Sequence, residues 1–168
     1  MKFHIAACLA FALWAPSASA NLLQDALATS GNSCWARTYD EAHLKAHPSQ
    51  NVSKIRLSSE VQDDGTVAIT LGFKIRGKEG GGGRYGYNAF AYCRPNGPEL
   101  KCIPEWEAGH FSIKSGPKNA LTVVNHGLII NPSNYDSEDI ADNAVNLAGS
   151  DDKTWILRPV YPENCDGS

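Results

Sequence analysis

Between Val67 and Ile75 the side chains alternate without a fault. Val67, Ile69, Leu71, Phe73 and Ile75 fall on one side, and Ala68, Thr70, Gly72 and Lys74 on the other. A period of two places one set on each face of a pleated strand, so the segment predicts a half-buried β-strand. Ile55, Leu57 and Val61 carry a weaker form of the pattern upstream, with Asp63-Asp64-Gly65 as the turn between them. Residues 84–93 (RYGYNAFAYC) are aromatic-rich and strand-like. Shorter candidates follow at 100–103, 110–113, 121–124, 128–130 and 154–157. Ser115-Gly116-Pro117, Asn125-His126-Gly127 and Asp151-Asp152 supply turns among them. About eight short strands at this spacing predict an all-β chain folded as a single antiparallel barrel or sandwich.

Helical periodicity is confined to two short stretches. Residues 21–30 (NLLQDALATS) set Leu22, Leu23, Ala26 and Leu27 on one side, predicting a short N-terminal helix that ends at Gly31-Asn32. Residues 40–47 (DEAHLKAH) predict one or two turns, capped by Asp40 and stopped by Pro48. Residues 131–150 hold Asp136, Glu138, Asp139 and Asp142 without a lysine or arginine, and read as a long acidic surface loop.

Composition narrows the class. A chain of 168 residues with 42% apolar and 20% charged side chains has the balance of one folded domain and not of a disordered one. Its net charge of −3 lacks the basic excess of a general nucleic-acid binder, so no nucleic-acid partner is expected. Residues 1–20 stand apart. Lys2 is followed by an apolar stretch over 5–15, then Pro16 and the small-residue site Ala18-Ser19-Ala20. This pattern predicts a cleaved secretory signal peptide and a secreted β domain over 21–168. The leader's bacterial look points to the periplasm. The apolar stretch is too short for a lasting membrane span, and no membrane insertion is expected.

Export gives the cysteines a meaning. Cys34, Cys93, Cys102 and Cys165 lie beyond the leader, and an even count in an oxidising compartment predicts two disulfides. No C-x-x-C pair supports zinc instead. A loop over Asn96–Glu99 sets Cys93 opposite Cys102, which predicts a bridge across that hairpin. Cys34 and Cys165 then join the start of the domain to its end.

No arrangement of side chains spells out catalysis, and no cofactor is implied. His43 and His47 share a helix face as metal ligands do, yet H-E-x-x-H and a third ligand are missing, so they read as a solvated helical turn. Glu105 and Glu107 flank Trp106 and point to one side of a strand, either as paired carboxylates or as a charged outer face. His110 and His126 have no nucleophile in a recognisable setting. The run Gly80–Gly83 ends in Arg84-Tyr85 before a strand, not in the Lys-Ser/Thr of a phosphate loop. It reads as a hairpin loop or as a binding loop flanked by Lys78, Arg84, Tyr85 and Tyr87. Lys114 and Lys118 flank Ser115-Gly116-Pro117, either as a charged hairpin tip or as a donor-rich binding loop.

That last loop carries a resemblance. An exported, disulfide-stapled β domain with a Ser115-Gly116 loop and adjacent lysines resembles the bacterial periplasmic lysozyme inhibitors, and more broadly the inhibitors of peptidoglycan hydrolases. In that family a serine-glycine loop and a second, lysine-bearing loop enter the hydrolase cleft. The match rests on Ser115, Gly116 and Lys118. Where the family has an aromatic residue shortly after Ser-Gly, this chain has Pro117-Lys118-Asn119-Ala120. The resemblance implies a protein partner, a peptidoglycan hydrolase, and no enzymatic activity of the chain's own. The implied contact surface is Lys114, Ser115, Gly116 and Lys118, assisted by Lys78, Arg84 and Tyr85. The other expectation is a periplasmic ligand-binding or envelope-maintenance module that inhibits nothing.

Overall fold

The computed structural model describes residues 23–27, 34–64, 66–78, 85–105, 109–133, 143–161 and 165. The leader, Gly80–Gly83 with Arg84, Trp106 with Glu107, and the acidic positions 136, 138, 139 and 142 lie outside the described residues. The described elements are α1 (residues 23–27), β1 (Cys34–Thr38), α2 (Glu41–Ala46), β2 (Val52–Val61), β3 (Val67–Ile75), β4 (Tyr87–Asn96) and β5 (Glu99–Pro104). They continue with β6 (His110–Ser115), β7 (Leu121–His126), β8 (Ile129–Pro132), β9 (Val145–Asn146) and β10 (Thr154–Val160).

The sheet is a closed antiparallel barrel of eight staves. β1 to β7 follow one another around the wall, and β10 pairs with both β7 and β1 to complete the ring. Of the two all-β layouts open to the sequence, the barrel is the one formed. Its interior is filled by the alternating set. Val67, Ile69, Leu71, Phe73 and Ile75 are all buried, and Ile55 and Leu57 lie opposite Phe73 and Leu71 on β2. Phe73 meets Trp155 of β10 edge-to-face at 5.6 Å, a contact that crosses the barrel because β3 and β10 are not neighbours. Each such side chain contributes roughly 1.5–3 kcal/mol on leaving water.

The meander puts the β2–β3, β4–β5 and β6–β7 turns on one rim and the other connections on the opposite rim. α1 closes the first rim. Its Leu23 and Leu27 are buried, and Ser59 Oγ donates to the Leu27 carbonyl at 3.0 Å. β8 and β9 close the second rim. β8 pairs with the start of β4 and β9 pairs with β8, and Leu128, Ile130, Val145 and Leu147 are buried there. The segment 131–150, expected as a surface loop throughout, is therefore structural at both described ends.

The tally of staves agrees with the sequence pattern, but their identities differ. Residues 128–130 belong to the rim closure, and β1 is the stave that the pattern omits. The reason is Arg37. It pairs with Ile55, and Trp35 pairs with Leu57, so both point inward. An arginine on the core face breaks the apolar alternation. Its guanidinium lies 5.1 Å from the Tyr39 ring centre.

Asp152 ties the last stave to the second. This buried carboxylate accepts from the Asn51 and Val52 backbone N–H groups at 2.7 and 3.2 Å and from Ser150 Oγ at 2.8 Å. Both disulfides have the expected pairing, Cys34–Cys165 and Cys93–Cys102. Cys93 and Cys102 are directly opposite in the ladder and point into the barrel. The hairpin between them is tighter than a four-residue loop. Asn96 pairs with Glu99, which leaves Gly97-Pro98 at the apex. Gly97 takes a φ of +62°, and Pro98 sits where no N–H is needed.

The two bridges should differ in worth. Loop closure over 131 residues for Cys34–Cys165 and 9 for Cys93–Cys102 corresponds to about 5 and about 2.6 kcal/mol. The cavity left inside the barrel adds ~1 kcal/mol to the second loss. Urea unfolding should therefore rank Cys34→Ala/Cys165→Ala as the less stable double variant. The reverse order would contradict this account.

Candidate functional site

The loop after β6 is held in a strained form. Gly116 is extended, and Pro117–Asn119 then make one short turn in which Lys118 and Asn119 have φ of +57° and +59°. Two successive non-glycine residues in the left-handed region cost on the order of 1–2 kcal/mol each, somewhat less for asparagine. Three hydrogen bonds hold the strain in place. Ala120 N–H donates to the Pro117 carbonyl at 3.2 Å, Gly116 N–H to the Ala120 carbonyl at 2.7 Å, and Trp35 Nε1–H to the Asn119 carbonyl at 3.0 Å. The turn is thus centred on Lys118-Asn119, beyond the expected Ser115-Gly116-Pro117. Pro117 has no N–H to return to Ala120, and the Gly116 N–H takes that acceptor instead.

Beneath the loop is a cavity of about 520 Å³ between α1 and the rim, lined by Leu23, Leu27, Trp35, Ser115, Gly116 and Leu121 among others. Ser115 and Gly116 form its edge, and Lys118 is exposed at the tip. Among the described residues no acid pairs with Lys118. Lys114 differs. It points out from the wall and forms an ion pair with Glu99, Nζ to Oε2 3.2 Å. Burial raises the Glu99 pKa, but hydrogen bonds from Lys114, Ser112 and Asn96 and the Lys114 charge outweigh it, so the carboxyl sits below its ordinary range.

The other expected residues lie elsewhere. Lys78 follows β3 at the opposite rim, its N–H directed to the Ile75 carbonyl. Tyr85 is buried against the outer wall. The Arg56 guanidinium covers its ring at 4.8 Å, and its hydroxyl donates to the Cys165 carbonyl at 3.3 Å. Gly72 makes room for it, because a Cβ there would come within 3.1 Å of the ring. The structure therefore gathers Lys114, Ser115, Gly116 and Lys118 at one rim, and sets Lys78 and Tyr85 apart from them.

Two groups of stacked rings come together, one of them on the helix face that His43 and His47 were expected to share. His110 and His126 are opposite each other on β6 and β7 and stack at 4.6 Å, with Ser112 Oγ 3.3 Å from His126 Nε2. Sixteen residues separate the two histidines in the chain, and only the strand register joins them. His43 and His47 extend a column that begins at Tyr39, with ring spacings of 4.7 and 4.4 Å, and His43 Nε2 lies 3.0 Å from Gln50 Oε1. Comparison with protein families, curated proteins and solved structures finds no match to this chain.

Two measurements follow from this geometry. Lys118→Gly should raise stability by about 0.5–1 kcal/mol in urea unfolding, because relief of the left-handed strain at lysine exceeds the added freedom of glycine in the unfolded chain. No gain would mean that the loop stores no strain there. His110 is held below the ordinary imidazole range by burial, then by His126 and Lys101, against a smaller pull from Glu99. The unfolded chain therefore takes up a proton near pH 6.5 that the folded chain refuses until lower pH. Stability should fall as pH drops through that interval, and His110→Gln should flatten the slope of urea midpoint against pH.

Proposed function

We propose that the protein is an exported periplasmic inhibitor of a lysozyme-like peptidoglycan hydrolase, and that it blocks the glycan cleft with the loop over residues 115–119. The observation that carries this reading is the pair of left-handed residues Lys118 and Asn119, locked by Trp35 and two backbone bonds. Strain of this kind persists where a conformation is used. Glycan hydrolases hold paired carboxylates in a concave cleft. A fixed loop whose tip lysine has no acidic partner among the described residues, with a serine hydroxyl at its base, offers that cleft a charge partner and a neutral donor. The closed, twice-bridged barrel keeps the ordering cost of binding low. Lys114 contributes at the margin, because Glu99 already engages it. The alternative of a ligand module that binds inside the barrel has less support, since side chains fill the interior.

Inhibition of cell-wall lysis by the purified oxidised protein, against a panel of lysozyme-like hydrolases, tests the reading. Lys118→Ala should weaken inhibition about 30-fold or more, the loss of roughly 2 kcal/mol expected for a buried charged contact. Lys114→Ala should cost only a few-fold. Equal potency of Lys118→Ala and wild type removes the loop from the mechanism, and no inhibition by wild type removes the function.

A further inference from the structure

The outer wall of β3, β4 and β5 carries a second feature on the loop rim. Ala91 and Cys93 face the core, so Tyr92 and Arg94 face outward. Tyr92 lies between Ala68 on β3 and Ile103 on β5. Alanine is too small to cover the ring, and Tyr92 keeps 39% of its surface exposed. Phe90 packs against it edge-to-face at 5.3 Å and 82°, which fixes the ring plane. Beside the ring, the β2–β3 turn forms the bank of a cleft of about 480 Å³ lined by Gln62, Asp63, Asp64, Thr66, Tyr92 and Arg94. That bank is rigid. Asp64 Oδ1 accepts from the Thr66 N–H at 2.8 Å, and Gln62 N–H donates to the Thr66 carbonyl at 2.9 Å.

Charges of both signs line this cleft, and they do not pair. Among the described residues neither the Asp63 nor the Arg94 side chain has a salt-bridge or hydrogen-bond partner. We infer that the cleft binds a neutral, hydroxyl-rich saccharide ring. An exposed tyrosine of fixed orientation gives an apolar face to the C–H side of a sugar. Carboxylates, an amide and a guanidinium around its edge match hydroxyls, which donate and accept at once. The volume is that of a small-molecule site. Two carboxylates against one guanidinium disfavour an anionic ligand. The polar, charged bank disfavours a lipid. The β4–β5 hairpin separates the cleft from residues 115–119 along the rim, and the inference does not depend on the inhibitory reading.

The test is a titration of the oxidised, isotopically labelled full domain with chitotetraose, cellotetraose and maltotetraose, followed by amide NMR. At least one should shift the Thr66, Tyr92 and Arg94 amides with a dissociation constant of about 1 mM or tighter. Tyr92→Ala should weaken that binding about tenfold, and Tyr92→Phe, which keeps the ring, by less than about threefold. Arg94→Ala, at an exposed position, should weaken it independently, and a dispersed spectrum confirms the fold of each variant. Three results would each overturn the inference: no shift of these amides at about 10 mM of any of the three sugars, wild-type affinity in both Tyr92→Ala and Arg94→Ala, or tighter binding of a sialic acid than of the neutral oligomers.

Discussion

Ring closure is the constraint on which the rest of this structure depends. Seven staves add one after another along the chain, but the eighth is the last strand in sequence and has to find both the first stave and the seventh. Such a contact is distant in the chain, and its chain-entropy cost falls before any of its packing is gained. The molecule meets this cost with three separate ties near β10. Asp152 fastens its entry to the head of β2, Asn125 Nδ2–H donates to the Asp152 carbonyl at 2.8 Å, and Cys165 bonds Cys34 just beyond its exit. The Asp152 carboxylate is buried with its acceptors occupied by N–H and O–H donors, the condition under which a charge can leave water without ruinous loss.

Once the ring is closed, surface features become fixed in space. The β6–β7 loop inherits a rigid base from β6, β7 and Trp35 of β1, so that strain at Lys118 and Asn119 cannot relax by movement of the strands. Tyr92 likewise owes its orientation to the wall. Its plane is set by Phe90 on its own strand, and its exposure by the small residue opposite it. Loop and cleft share one rim because alternate hairpins of a meander return to the same end.

Much of this fold was legible in the sequence, and for physical reasons. β3 shows its alternation because one face meets the core and the other meets water. The Cys93–Cys102 pairing was legible because a proline cannot donate in a ladder, which restricts the turn between the two cysteines. β1 was not legible. Its five residues place Trp35 and Arg37 on the inner face, and arginine in that position looks like a surface residue until Tyr39 is seen to cover its charge. The closing role of β8 and β9 was hidden for another reason: Val145 and Leu147 are separated from their partners by an acidic stretch that dominates the local composition. Of the candidate site, Ser115, Gly116 and Lys118 were found from residue type and spacing. Their dependence on Trp35 was not, since 84 residues separate Trp35 from Asn119. The Lys114–Glu99 ion pair was not legible either, because only strand pairing brings the two residues together.

A closed ring also decides how other molecules can approach this one. An open sheet offers unpaired N–H and C=O groups along its border, and partners or aggregates extend it by adding a strand. Here every stave has two neighbours. Among the described residues the border that remains is β9, two residues long. Recognition by backbone pairing is therefore closed off over most of the described wall, and a partner that docks there has to read side chains.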